Sequence, residues 1–92
     1  MEFNQERIKA RLLYHLRKKR VIGGVHTHFD TLRMGFPKHL GKEVEKAAKE
    51  LIKEKWLITK PTNYGLQVSL NKEKLIEIEN FIENVLDYKF DI

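Results

Sequence analysis

Residues 42–70 pass, with no linker, from one hydrophobic period to another, and this handover constrains the fold more than any other feature of the chain. Over Lys42 to Lys55 the apolar side chains fall at Val44, Ala47, Ala48, Leu51 and Ile52, which is the i, i+3, i+4, i+7, i+8 spacing of a helix with one buried face. Lys42, Lys46, Lys49 and Lys53 lie on the opposite side of the same wheel. Trp56-Leu57-Ile58-Thr59-Lys60 follows at once and reads as a strand, Pro61 to Gly65 as a turn, and Leu66-Gln67-Val68-Ser69-Leu70 alternates as a half-buried strand does. A helix that runs straight into a hairpin must bury its apolar stripe against other elements of the same chain. The expectation is an α+β domain, mostly helical.

The remaining elements supply those partners. Asn4 is a good N-cap for a first helix reaching about Lys19, with Phe3 and Ile8 spaced as a hydrophobic staple. Ile8, Leu12, Leu13 and Leu16 share one face of that helix, and Arg7, Arg11, Tyr14 and Lys18 line the other. Gly23 and Gly24 are expected to stop it, within an extended or turning segment from Val21 to Val25. A short helix is predicted over Thr27 to Met34, capped by Thr27 and ended by Gly35, with a turn from Phe36 to Gly41 where Pro37 disfavours helical geometry in its predecessor. Asn71 caps a last helix, about Lys72 to Tyr88, with Leu70 and Leu75 as a second staple. Its apolar stripe of Leu75, Ile78, Phe81, Ile82, Val85 and Leu86 is broad for docking on one small domain.

Ninety-two residues are expected to form a single domain, here divided into a body, 1–71, and a final helix, 72–92, that packs on it or dimerises. The formal net charge of +5 conceals an asymmetry: residues 1–60 carry 15 basic and 7 acidic side chains, residues 61–92 only 3 and 6. The excess positive charge of the body favours a polyanionic partner. The absence of cysteine removes disulfides, cysteine-ligated zinc and cysteine nucleophiles. No uncharged apolar stretch approaches the roughly 20 residues that cross a bilayer, and the first residues lack the order of a signal peptide, so the expectation is a cytoplasmic chain with no membrane partner. Richness in Lys, Glu and Ile with few Gln suggests a thermophilic source.

The order helix, short extended segment, helix, turn, helix, hairpin over residues 5–70, and above all the junction Leu51-Ile52-Lys53-Glu54-Lys55-Trp56-Leu57-Ile58, resembles the recognition-helix-into-wing junction of small archaeal and bacterial winged helix-turn-helix transcription regulators. The resemblance implies three helices plus a β-hairpin wing, with an additional C-terminal helix. It also implies a double-stranded DNA-binding protein, a transcriptional regulator with helix 42–55 in the major groove and hairpin 57–70 as wing. A helix in that groove meets base edges with its leading residues and phosphates with later ones. The matching positions here are Lys38, His39, Lys42, Glu43, Lys46 and Lys49. Lys60, Thr62, Asn63 and Tyr64 stand at the wing, and Arg17, Lys18, Lys19, Arg20 and Arg33 would contact flanking phosphates. Ile78, Phe81, Ile82, Val85 and Tyr88 are the expected interface of a homodimer reading two half-sites.

Each feature has a plainer reading. Glu43, Glu45, Glu50 and Glu54 flank the lysine stripe, and Glu45–Lys49 has ion-pair spacing, as an ordinary solvated helix would. Arg17 to Arg20 also suit the C-terminal dipole of the first helix. Trp56 is expected in the core beneath the hairpin and Tyr64 at the exposed turn. His26, His28 and His39 with Asp30 lack cysteine, HExxH spacing and a fourth ligand, and are read as surface or capping residues, with no metal expected. Ser69 is the sole serine and lies within a strand, and no glycine-rich loop matches a nucleotide-binding pattern, so no enzyme, cofactor or small-molecule ligand is expected. Two rivals to DNA binding remain: a protein-interaction module without nucleic-acid binding, and an RNA or single-strand binder using Tyr64 and the basic helix ends.

Overall fold

The computed structural model describes residues 4–90. The Phe3 staple therefore lies outside the described residues. The chain is α+β and mostly helical, with three α-helices and one three-stranded antiparallel sheet. In chain order these are α1 (Gln5–Lys18), β1 (Thr27–His28), α2 (Gly41–Lys53), β2 (Leu57–Thr62), β3 (Gly65–Leu70) and α3 (Leu75–Leu86). The sheet order is β1-β3-β2, so β3 is central and β2 is an edge.

Local chemistry sets most of the boundaries. The Asn4 side-chain oxygen accepts from the Arg7 N–H at 2.8 Å and opens α1, and Asn71 does the same for the Glu73 N–H at 3.0 Å before the last helix. The end of α1 corrects the expectation from the glycines. Arg20, at φ 58°, takes the left-handed conformation, and the Val21 N–H reaches back to the Leu16 carbonyl at 2.9 Å while Arg20 N–H binds Arg17 O. This is a Schellman closure, completed three residues before Gly23. Helix α2 ends identically on Lys55, at φ 67°, with the Trp56 N–H on Leu51 O.

The helix expected over Thr27 to Met34 does not form. Thr27 and His28 pair with Val68 and Gln67 of β3 instead, and Phe29–Arg33 makes a single 3-10 segment. The Thr31 hydroxyl donates to His28 O at 2.7 Å and meets the Thr27 hydroxyl at 3.1 Å, so threonines bind the local backbone rather than capping an α-helix. Buried Leu32 and half-buried Phe29, three apart, fit the 3-10 repeat. Likewise Lys72–Lys74 is a 3-10 turn, and α3 ends at Leu86, with Asp87 left-handed, rather than at Tyr88. The hairpin turn is also tighter than expected. Pro61 belongs to β2, where an edge strand tolerates a missing donor, and only Asn63 and Tyr64 bridge the paired Thr62 and Gly65.

One core joins the elements: Ile8, Leu12, Leu13 and Leu16 of α1, Val44, Ala47, Ala48 and Leu51 of α2, Leu57, Val68 and Leu70 of the sheet, and Ile78 and Ile82 of α3. Ile78 and Ile82 are fully buried, so these two residues expected at a dimer interface are spent within the chain. Phe81 meets the edge of Trp56 at 5.5 Å, the Val85 carbonyl accepts from Arg7, and Tyr88 packs edge-on against Tyr14 at 5.1 Å. The broad stripe of α3 is used on its own domain. Trp56, at the helix–strand junction, is half-buried against the core rather than enclosed in it.

Candidate nucleic-acid interface

Helix α2 buries Val44, Ala47, Ala48 and Leu51 and thereby turns Lys42, Lys46, Lys49 and Lys53 to solvent, all four exposed. Lys42, Lys46 and Lys53 enter no ion pair among the described residues. Lys49 binds Glu45 at 2.9 Å, the i, i+4 pair that the spacing predicts, and this contact, with Arg33 nearby, holds the Glu45 carboxyl below its usual range. On the other edge Lys9 of α1 reaches Glu50 at 2.8 Å and Glu54 at 3.8 Å, and holds the Glu50 carboxyl low as well. The Gln5 amide donates to Glu43 O at 3.2 Å, fastening the first turn of α2 to α1.

The sequence offered no signal for Lys9. Its partners lie 41 and 45 positions away, and only the packing of α1 on α2 brings them together. The consequence is electrostatic. Glu50 and Glu54 are answered by Lys9 and Glu45 by Lys49, while exposed Glu43 enters no ion pair among the described residues, and Lys42, Lys46 and Lys53 are left unpaired along the outer ridge. From Lys42 to Lys53 that ridge spans about 16 Å at 1.5 Å per residue.

Lys38 and His39 form a 3-10 turn leading into α2 and are exposed, as is Glu43. Arg33 lies against the same helix end, its Cδ and guanidinium close to Gly41. Thus Arg33, Lys38, His39 and Lys42 are near-neighbours at the N-terminus of α2, which carries no side-chain cap. Lys60, Asn63 and Tyr64 are exposed on the hairpin. Thr62 is not presented outward: its hydroxyl donates to Gly65 O at 2.8 Å and accepts from the Tyr64 N–H at 3.1 Å, so it builds the turn.

The basic run at the end of α1 is divided. Arg17 binds Glu79 of α3 at 2.6 Å and lies over the Phe90 ring, which makes it a tie between α1 and α3 rather than a group held out for phosphate. Lys18, Lys19 and Arg20 are exposed, and Lys19 lies beside Thr27, Thr31 and Met34. Nearby His15 is pushed below its usual pKa of 6.5 by burial first, then by Arg11, Lys19 and Lys18. Gly35, at φ 94°, packs on its ring so closely that a Cβ there would lie 2.8 Å from the imidazole.

Among the described residues no three His, Asp or Glu side chains are placed to hold a metal ion, and no helix is long and apolar enough to cross a membrane. No known protein family, curated protein or solved structure matches the chain.

Proposed function

We propose that this chain is a winged-helix protein that binds double-stranded DNA, with α2 in the major groove, and that it acts as a transcriptional regulator. The observation that carries the reading is the exposed lysine ridge of α2, on which Lys42, Lys46 and Lys53 enter no ion pair among the described residues while Glu50 and Glu54 turn to Lys9 of α1 and only Lys49 pairs within the helix, with Glu45. An ordinary solvated helix gains little from such an arrangement, since it would distribute its cations among its own acids. The support for the winged-helix architecture is the chain order α1-β1-α2 followed by a hairpin, with β1 added to β3, although a 3-10 segment stands where a second helix was expected. An α-helix is narrow enough to enter the roughly 12 Å major groove, where lysines can reach phosphates or guanine edges.

If three or four lysines neutralise phosphates, log affinity falls with log salt at a slope of about −2.7 to −3.6, or about 40- to 150-fold between 50 and 200 mM. Fluorescence titration of a mixed-sequence duplex at those two salts measures this directly. A flat response, or no binding at 50 mM, refutes the reading. The homodimer belongs to the proposal only through what α3 and the segment after it still expose, chiefly Ile76 at 72% and part of Tyr88. Sedimentation velocity decides between two half-sites and one: a monomer at tens of micromolar restricts the chain to a single half-site.

A further inference from the structure

The hairpin is not built like a surface that rides on phosphates. Across residues 57–70 it has one charged side chain, Lys60, in a chain that is 34% charged. Beside Thr59, Lys60 and Asn63 its exposed side chains are apolar or aromatic: Pro61 and Leu66 face each other across the strands beneath the turn, Ile58 lies nearer the body on the opposite face, and Tyr64 at the tip is 82% exposed. The two strands pair over six residues, so at about 3.3 Å per residue the tip stands roughly 17–20 Å from Leu57, the last residue of β2 in the core. The tip is also fixed in advance. The Thr62 hydroxyl holds both the Tyr64 N–H and the Gly65 carbonyl, so presenting the phenol ring costs little further backbone entropy.

Resting on the DNA-binding reading, we infer that Tyr64, at the tip beyond the Pro61–Leu66 pair, stacks on an exposed base, so that a duplex end or a duplex–single-strand junction is bound more tightly than continuous duplex by the same protein. The lysine ridge of α2 supplies the contacts to the charged backbone. The hairpin complements it with a flat, uncharged, aromatic surface, and the part of a nucleic acid that matches such a surface is the face of a base. In continuous B-form duplex the base faces are covered by stacking and only their edges meet the grooves. Faces become available where the stack ends or a strand is unpaired, and aromatic side chains stack there without regard to sequence.

The test uses the full chain and a fluorescein-labelled 20-base-pair duplex carrying six-nucleotide unpaired tails, competed either by the same unlabelled fork or by a relaxed, covalently closed circular duplex at equal base-pair concentration. The fork is expected to compete about tenfold better, within the range that one base–aromatic stack supplies. Tyr64→Ala should bring fork and circle within about twofold, with the larger loss on the fork, and Tyr64→Phe should restore the preference. A 2-aminopurine placed at the first unpaired position should change its fluorescence on binding the unsubstituted protein and not on binding Tyr64→Ala. Equal competition by fork and circle overturns this inference alone. So does a Tyr64→Ala variant that keeps the fork preference, the result expected if the apolar tip docks a protein instead. Failure to bind either DNA at 50 mM salt overturns the DNA-binding reading and this inference with it.

Discussion

At the scale of single residues, side-chain chemistry that acts within three positions was readable in advance, and backbone strain was not. Asn4 caps α1 as expected, and Asn71 caps the 3-10 turn Lys72–Lys74 rather than α3 itself, their acceptors reaching N–H groups two or three residues on. Arg20 and Lys55 close α1 and α2 in the left-handed conformation that glycine ordinarily supplies, and a long basic side chain gives no sign of that role. Left-handed geometry costs a non-glycine residue about 1–2 kcal/mol. Lys55→Gly relieves it at the cost of some unfolded-chain entropy, so a gain of about 1 kcal/mol is expected, or a melting temperature about 4–8 °C higher. Thermal denaturation by circular dichroism checks it, and a lower melting temperature contradicts the account of that junction.

His15 gives the residue-scale pH prediction. Burial and the charges of Arg11, Lys19 and Lys18 lower its pKa in the folded state below the ordinary 6.5. Between the two values the unfolded chain binds more protons, so stability is full above about pH 6.5 and is lost as the pH falls through the lowered value. The paired carboxylates Glu45 and Glu50 titrate below their usual range and act at still lower pH. Urea denaturation from pH 7.5 to 5.5 should show the decline in the native protein and a flatter profile in His15→Gln. Equal slopes would remove His15 as the cause.

At the scale of elements, long amphipathic segments were legible and short ones were not. The stripes of α1, α2 and α3 predicted their buried faces, because a packed face repeats over several turns, whereas the alternation read for β3 did not hold: Leu66 is exposed and Ser69, whose hydroxyl donates to Gly23 O, is buried. Residues 27–34 offered only Phe29, Leu32 and Met34 as apolar side chains, too few to distinguish one helical turn from a strand end, and pairing with β3 decided the outcome. The breadth of the α3 stripe was legible but its use was not: Trp56 and Tyr14 reach it from elements whose placement depends on the whole fold. The same holds for Lys9. Lys9→Met keeps the aliphatic stem that packs between α1 and α2 and removes only the charge. Glu50 and Glu54 then stand unanswered beside the lysine ridge, and duplex affinity should fall about three- to fivefold with less than about 1 kcal/mol lost in stability, as for partly exposed ion pairs. Unchanged affinity would mean that the edge acids do not face the nucleic acid.

At the scale of the whole molecule, the charge asymmetry of the sequence divides between cations tied to other elements and cations left exposed. Residues 1–60 hold the excess of basic side chains, but Arg17 ties α1 to α3 and Lys9 is committed to α2, so the cations left outward on α2 are fewer than the composition suggests. The candidate site was legible as four lysines on one helix. Its edges and the apolar character of its hairpin emerged only once the strands were paired and the acids assigned to partners. The central claim is that this ridge, rather than the net charge of the chain, binds duplex DNA. The most direct measurement compares Lys42→Ala/Lys46→Ala with the unsubstituted protein in duplex titrations across 50–200 mM salt, alongside thermal denaturation. The account predicts weaker binding with a salt slope smaller by about 2 and an unchanged melting temperature, since both side chains are exposed and in no ion pair among the described residues. An unchanged slope and affinity would contradict it.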